Sequence, residues 1–327
     1  MKGEILLDVK NLNIGFRTRQ GYVNAVEKVD FSLMRGELLA FVGESGCGKS
    51  VTSLAVMGLI ERPARVKADR IELLGVDMVS CTQEEIRKKR GAEMAMIFQD
   101  PLTSLNPLFT VGNQLSEQFM AHIPSCTKND ARERGIAIMR KMGIPRAEAV
   151  FGSFPHELSG GMRQRIMIAI AMCCSPALLI ADEPTTALDV TIQAQILRLM
   201  RELMSEFGTS ILFITHDLGV VAEMADRVIV MYTGQIVEEA DVFTMFKDPR
   251  HPYTKGLLQS TIRVQDAEDR LTPIQGAVPS LGRLPGGCRF NPRCGYATGR
   301  CSETMPDLVE VGPGHYSRCL LAVEGVF

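Results

Sequence analysis

The stretch from Leu38 to Ser50 constrains this chain more than any other. Leu38 to Val42 is a continuous apolar run, followed at once by Gly43-Glu44-Ser45-Gly46-Cys47-Gly48-Lys49-Ser50 and then by a helix-forming segment ending near Leu59. A run with no polar face fits a strand buried on both sides. A buried strand that feeds a helix through a glycine-rich turn belongs to an α/β fold. The turn matches G-x-x-x-x-G-K-[ST] in the context that motif requires. Its glycines let the backbone curl, so that successive N–H groups face phosphate oxygens at a positive helix start. Lys49 would hold the β- and γ-phosphates, and the Ser50 hydroxyl would bind Mg²⁺. The loop predicts a nucleotide site.

The same grammar recurs along the chain. Val29, Phe31 and Leu33 alternate with polar residues, as in a half-buried edge strand, while Leu178–Ala181 and Ile211–Thr215 predict two more buried strands. Between them Ile192, Ile196, Leu199, Met200, Leu203 and Phe207 mark one helix face, with Gly208 as its stop. From about Pro107 to Pro155 the chain is polar and helix-prone, which predicts a helical insertion in the α/β body. Beyond Lys247 it turns proline-rich, with Pro249, Pro252, Pro273, Pro279 and Pro285. The expected division is therefore a main domain over 1–248 and an extension over 249–327.

With 327 residues and 46% apolar side chains, the chain suits one large domain plus an appendage. A net charge of −2 argues against a nucleic-acid partner. The basic run Arg87-Lys88-Lys89-Arg90 reads as a solvated helix end. Glu4 stands where a signal peptide would become apolar. The longest apolar stretch, Ile166 to Ala181, is split by Ser175-Pro176 and is shorter than the roughly 18–20 residues a spanning helix needs. The expectation is a chain that meets a membrane only through partners.

Leu178-Leu179-Ile180-Ala181-Asp182-Glu183 is an apolar strand ending in two acids. Behind a phosphate loop, such a tip can set Asp182 beside Mg²⁺ and Glu183 beside an attacking water whose proton it accepts. Shortly upstream, Leu158-Ser159-Gly160-Gly161-Met162-Arg163-Gln164 precedes a helix whose expected buried face is Ile166, Ala169, Ile170 and Cys173. This resembles the signature sequence of the ABC ATPases. The resemblance covers about residues 5–250 and implies their fold, an α/β P-loop ATPase sandwich with a helical insertion.

The resemblance also assigns residues. Gln99, within Met96-Ile97-Phe98-Gln99-Asp100-Pro101, matches the Q-loop glutamine that touches Mg²⁺ or water. Ala187-Leu188-Asp189 matches the D-loop of the dimer interface, and His216 the switch histidine at the γ-phosphate. Glu183, His216 and Gln99 would be catalytic. Ser50, Gln99 and Asp182 would hold Mg²⁺. ATP would lie on Gly43, Glu44, Ser45, Gly46, Cys47, Gly48, Lys49, Ser50 and Val51. Ser159, Gly160, Gly161, Gln164 and Asp189 would serve the ATP of a facing subunit. Phe16 is the first choice to stack on adenine and Tyr22 the second. Val51 departs from the family, which often has Thr there.

Four cysteines crowd the extension with the spacing C-x5-C-x6-C-x17-C: Cys288, Cys294, Cys301 and Cys319. The residues alone leave a [4Fe–4S] cluster, zinc and free thiols open. The text from Cys288 to Cys294, with Arg250-His251-Pro252-Tyr253-Thr254, resembles the tail of ABC importer ATPases of the dipeptide, oligopeptide and nickel permease group. That resemblance implies a [4Fe–4S] cluster on the four cysteines, acting as a structural staple. It further implies an ATP-hydrolysing translocase subunit at the cytoplasmic membrane face. Its partners would be two permease subunits, a second ATPase subunit (identical or related) and, indirectly, an extracytoplasmic binding protein. Dipeptide or oligopeptide import is favoured, with nickel or another solute open.

Overall fold

An apolar pentapeptide has no side to offer water, and Leu38–Val42 is a strand with every residue buried. The computed structural model describes residues 3–18, 21–99, 104–186, 188–260 and 274–326. Asp100, Pro101, Ala187 and Pro273, named above, lie outside the described residues. The chain divides into two compact units, Met1–Leu6, Met34–Gly36 and Ser80–Phe213 in one, and Leu7–Leu33, Glu37–Val79 and Ile214–Phe327 in the other.

In the second unit, Leu38–Val42 pairs in parallel with Arg227–Tyr232, Val42 standing opposite Val230. Arg227–Tyr232 turns back antiparallel into Gln235–Asp241. The turn residues Thr233 (φ 40°) and Gly234 (φ 82°) both take positive φ, the combination that matches the twist of a tight hairpin. His315–Ser317 and Val309–Gly312 continue the same sheet outward, so the proline-rich extension is paired to Gln235–Asp241 by backbone hydrogen bonds. A separate antiparallel sheet joins Gly21–Met34, Ile5–Thr18, Arg70–Leu73 and Val76–Asp77. There Val29, Phe31 and Leu33 are buried as their alternation predicts. The helix after the glycine turn runs Lys49–Val56, short of the expected Leu59, because Gly58 takes a left-handed φ of 64°.

In the first unit, Met94–Ile97 pairs in parallel with Leu178–Asp182, and Ser210–Ile214 lies on the other side of Leu178–Asp182. The expected insertion is helical: Val111–His122, Lys128–Lys141 and Ala147–Val150. Thr127 opens the second of these with a capping box to Asp130. Helix Val190–Phe207 buries Ile196, Leu199, Met200 and Leu203 and stops at Gly208 with a left-handed cap. Its expected face is trimmed at both ends, since Ile192 and Phe207 are only half-buried.

Helix Gly160–Met172 differs from expectation. Its buried residues are Gln164, Ile166, Met167, Ile168, Ala169, Ala171 and Met172, whereas Ile170 and Cys173 are only half-buried. A helix apolar on nearly every side has no single face to read from the sequence. The apolar stretch through Ala181 breaks where expected, with the helix ending at Met172 and the strand starting at Leu178. Among the described residues, no helix is long and apolar enough to cross a membrane.

Candidate functional site

The loop Gly43–Ser50 belongs to the second unit. Gly43 has φ 147°, and a Cβ there would stand 2.2 Å from the Met231 carbonyl oxygen and 2.8 Å from Cys47 Sγ. Only glycine fits a loop pressed this closely to the neighbouring strand. The Lys49 side chain, 6% exposed, curls back so that Nζ donates to the carbonyls of Gly43 (2.7 Å) and Glu44 (3.1 Å) and sits 3.6 Å from Cys47 Sγ. Burial raises the Cys47 thiol's pKa, with Lys49 opposing, so Cys47 is a protonated filler beneath the loop. Glu44 is held at both ends: its N–H donates to Tyr253 Oη (2.8 Å), and its carboxylate takes both arms of the Arg293 guanidinium.

Also in this unit are Ser50, Val51, Phe16, Tyr22 and His216. Ser50 and Val51 are half-buried in the first turn of helix Lys49–Val56. Phe16 is 37% exposed and Tyr22 42% exposed, so neither packs in the core. Tyr22 already carries the Arg65 guanidinium over its ring at 4.0 Å. His216 is exposed just beyond strand Ser210–Ile214.

The first unit holds the acidic tip and the signature turn. Asp182 is buried at the end of its strand. Glu183 takes a left-handed φ of 48°, a conformation a non-glycine residue adopts at a cost of order 1–3 kcal/mol when its surroundings impose it. Its Oε2 accepts hydrogen bonds from Gln99 Nε2 (3.2 Å) and Thr186 Oγ1 (2.8 Å). Gln99 and Glu183, read as separate marks in the sequence, are thus direct partners. Thr186 was missed, although its place three residues after the acid was the available signal.

Ser159 caps helix Gly160–Met172, its hydroxyl accepting from the Met162 N–H at 3.3 Å. A Cβ on Gly160 would meet nothing within 4 Å, so that face of the turn is open. Gln164 is 2% exposed, and its amide donates to the Pro184 carbonyl, tying the signature helix to the turn that carries Glu183. Asp189 caps helix Val190–Phe207 by accepting from the Ile192 N–H at 3.0 Å. The structure thus gives Gln164 and Asp189 internal duties.

In the extension, Cys288, Cys294, Cys301 and Cys319 line one small cavity of about 20 Å³, room for a single water-sized guest, together with His251 and Phe290. Burial pushes Cys294 up to about 11 and raises Cys288 and Cys319, with neighbouring thiols adding to the effect. Among the described residues, no three of His, Cys, Asp or Glu are grouped tightly enough to hold a metal ion. The four thiols share this one cavity.

A family model described as "ABC transporter" matches residues 26–186, and one described as "Oligopeptide/dipeptide transporter, C-terminal region" matches residues 237–301. The chain is 50% identical to the oligopeptide transport ATP-binding protein AppD of Bacillus subtilis, covering 98% of this chain and 97% of that one. It is 48% identical to the dipeptide transport ATP-binding protein DppD of Escherichia coli, covering 96% of each. Among solved structures, CbiO1 of Clostridium perfringens, part of the CbiONQ ABC transporter complex, superposes with TM-score 0.62 at 26% identity over 75% of this chain and 92% of that one. The dimeric cassette MJ0796 gives TM-score 0.65 at 24% identity over 72% and 98%, a likeness of fold.

Proposed function

This chain belongs to the oligopeptide/dipeptide family of ABC transporter ATP-binding proteins, and from that premise we propose that it is the ATPase subunit driving import of dipeptides or oligopeptides through membrane permeases. The full-length likeness to AppD and DppD, extending through the cysteine-bearing tail, is the main support. In this reading residues 1–248 are the motor and 249–327 its extension.

ATP lies along Gly43–Val51, with Phe16 or Tyr22 against adenine. Lys49 Nζ exchanges its bonds to the Gly43 and Glu44 carbonyls for phosphate oxygens. That exchange trades neutral carbonyl acceptors for negatively charged phosphate oxygens, which adds an ion–ion attraction to each bond. Ser50, Gln99 and Asp182 are oxygen donors of the hard type Mg²⁺ selects; they would hold the ion, which would supply positive charge against the developing phosphate charge. Glu183, oriented by Gln99 and Thr186, takes the proton of the attacking water, and His216 contacts the γ-phosphate. The open side of the Ser159-Gly160-Gly161 turn faces the ATP of a second ATPase subunit, identical or related. Asp189 and Gln164 brace that interface. ATP then biases an open–closed equilibrium of the pair, and the helical insertion passes it to two permease subunits at the cytoplasmic membrane face. An extracytoplasmic binding protein supplies the peptide.

In the same reading, which rests on the likeness of the tail and not on the spacing of the thiols, Cys288, Cys294, Cys301 and Cys319 would hold a [4Fe–4S] cluster that cross-links the tail. Iron, sulfide and zinc analysis of chain purified without oxygen tests this: iron with sulfide is expected, and zinc or neither would overturn it. The transport reading is tested in vesicles containing the permease partners. ATP-dependent peptide uptake is expected. Co-purification with ribosomes or DNA instead of permeases would refute it.

A further inference from the structure

We propose that the C-terminal extension holds the phosphate loop in its binding shape, with Arg293 as a positioning residue and Tyr253 as a second anchor, both acting through Glu44. The proposal rests on Gly43–Ser50 being the nucleotide loop. Its starting observation is the double grip on one loop residue. Arg293 Nη1 lies 2.7 Å from Glu44 Oε2 and Nη2 3.0 Å from Oε1, a two-pronged pairing that fixes both position and orientation. The Arg293 side chain is only 4% exposed against 29% for Glu44, so water reaches this pair from the carboxylate side alone. Its Nε donates to the Gln275 carbonyl at 3.0 Å, which leaves the guanidinium little freedom to swing away. The pairing with Glu44 raises the Arg293 pKa further above its ordinary value, so the charge is permanent. From the other side, Tyr253 Oη accepts the Glu44 backbone N–H at 2.8 Å, and Tyr253 is fully buried against Tyr232 and Phe290.

A glycine-rich loop loses more conformational freedom on ordering than other sequences, and nucleotide must supply that cost if nothing else does. Two anchors on Glu44, one on the side chain and one on the backbone, meet part of it before ATP arrives. A second brace acts beside the first. Arg289 donates to the Thr233 carbonyl and pairs with Glu27, while the adjacent Gly234 N–H donates to the Cys47 carbonyl at 2.8 Å. Arg289 follows Cys288 and Arg293 precedes Cys294, and both cysteines line the same cavity. The wall of the cysteine cavity is therefore the footing from which Arg293 reaches the nucleotide loop and Arg289 reaches the Thr233-Gly234 turn that bonds to it.

The test uses the full-length chain with equilibrium binding of a fluorescent ATP analogue, and ATPase kinetics after assembly with its permease partners. Arg293→Gln should weaken binding about tenfold, equivalent to about 1.4 kcal/mol, raising KM with kcat nearly unchanged. Arg293→Lys should recover part of the loss, and Tyr253→Phe should weaken binding a few-fold. Arg293→Gln combined with Glu44→Gln should be no weaker than the worse single variant, because both remove one interaction. A purely structural role predicts a lower Tm with unchanged affinity in the folded fraction. If Arg293→Gln does not fold, Tyr253→Phe still reads the tether. Wild-type affinity in Tyr253→Phe and in folded Arg293→Gln overturns the proposal. Failure of the wild type itself to bind the analogue overturns the nucleotide-loop reading first, and the proposal with it.

Discussion

Replacing Gly43 by alanine is the sharpest available test of the phosphate loop, because the cost can be worked from two distances and one angle. The new Cβ would stand 2.2 Å from the Met231 carbonyl oxygen and 2.8 Å from Cys47 Sγ. Met231 belongs to a buried strand that pairs with Leu38–Val42, so its carbonyl cannot retreat without disturbing that ladder. The loop must move instead, by roughly 1 Å, the overlap of a methyl group with an oxygen at that distance. Overpacking of this kind costs about 1–3 kcal/mol. A φ of 147° on an L-residue adds about 1–3 kcal/mol more. The sum, about 2–6 kcal/mol, falls on a loop whose function is to place N–H groups at phosphate oxygens. At the lower bound ATP affinity drops about 30-fold. Gly46→Ala is the control, since Gly46 has φ 79° but nothing within 4 Å of a new Cβ. Strain alone, about 1 kcal/mol, predicts a loss of about fivefold there. Equilibrium binding of an ATP analogue, with thermal melting alongside, reads both. A Gly43→Ala chain with wild-type affinity and Tm, or one less impaired than Gly46→Ala, would refute the reasoning.

Three further outcomes are expected. Glu183→Gln keeps shape and removes the proton acceptor, so ATP binding should persist while turnover falls about 10²–10⁴-fold in a phosphate-release assay; normal turnover would remove Glu183 from its role. Gln164→Leu strips the Pro184 carbonyl of its buried donor, a loss of about 1–3 kcal/mol that should lower Tm by a few degrees and reduce turnover through the Glu183 turn. His251 is wholly buried and desolvation draws its pKa down to about 4 from 6.5, with Glu238 opposing and Arg318 adding to the fall. Its neutral form is what the fold accommodates, so its contribution is complete above about pH 6.5 and is lost as pH falls toward 4. Melting curves should show stability dropping across that window, and His251→Asn should flatten the slope.

The strands, turns and caps of this protein were legible where they are built from contiguous signals. A buried strand, three glycines and a lysine must be neighbours in sequence to build one phosphate cradle, and Leu38–Ser50 does so. The same holds for the acidic tip Leu178–Glu183 and for the helices of the insertion, whose caps Thr110 and Thr127 are local. Reading failed where burial has no periodicity. Helix Gly160–Met172 is enclosed nearly all round, so the half-buried places of Ile170 and Cys173 followed from no pattern. Phe16 was placed by order of motifs, and only the structure shows that it avoids the core.

Sequence alone determined the α/β class, the glycine-rich turn after a buried strand, the acidic strand tip and the cysteine-bearing tail, because each is carried by residues close together on the chain. Tertiary structure alone decided who holds whom: Gln99 and Thr186 on Glu183, Gln164 on Pro184, and above all Arg293 and Tyr253 on Glu44. The last two partners lie 249 and 209 residues beyond the loop residue they grip. A contact across such a separation leaves no local period, spacing or cap to read. It exists only because the sheet brings Arg227–Tyr232 beside Leu38–Val42 and the extension folds onto the strand that follows.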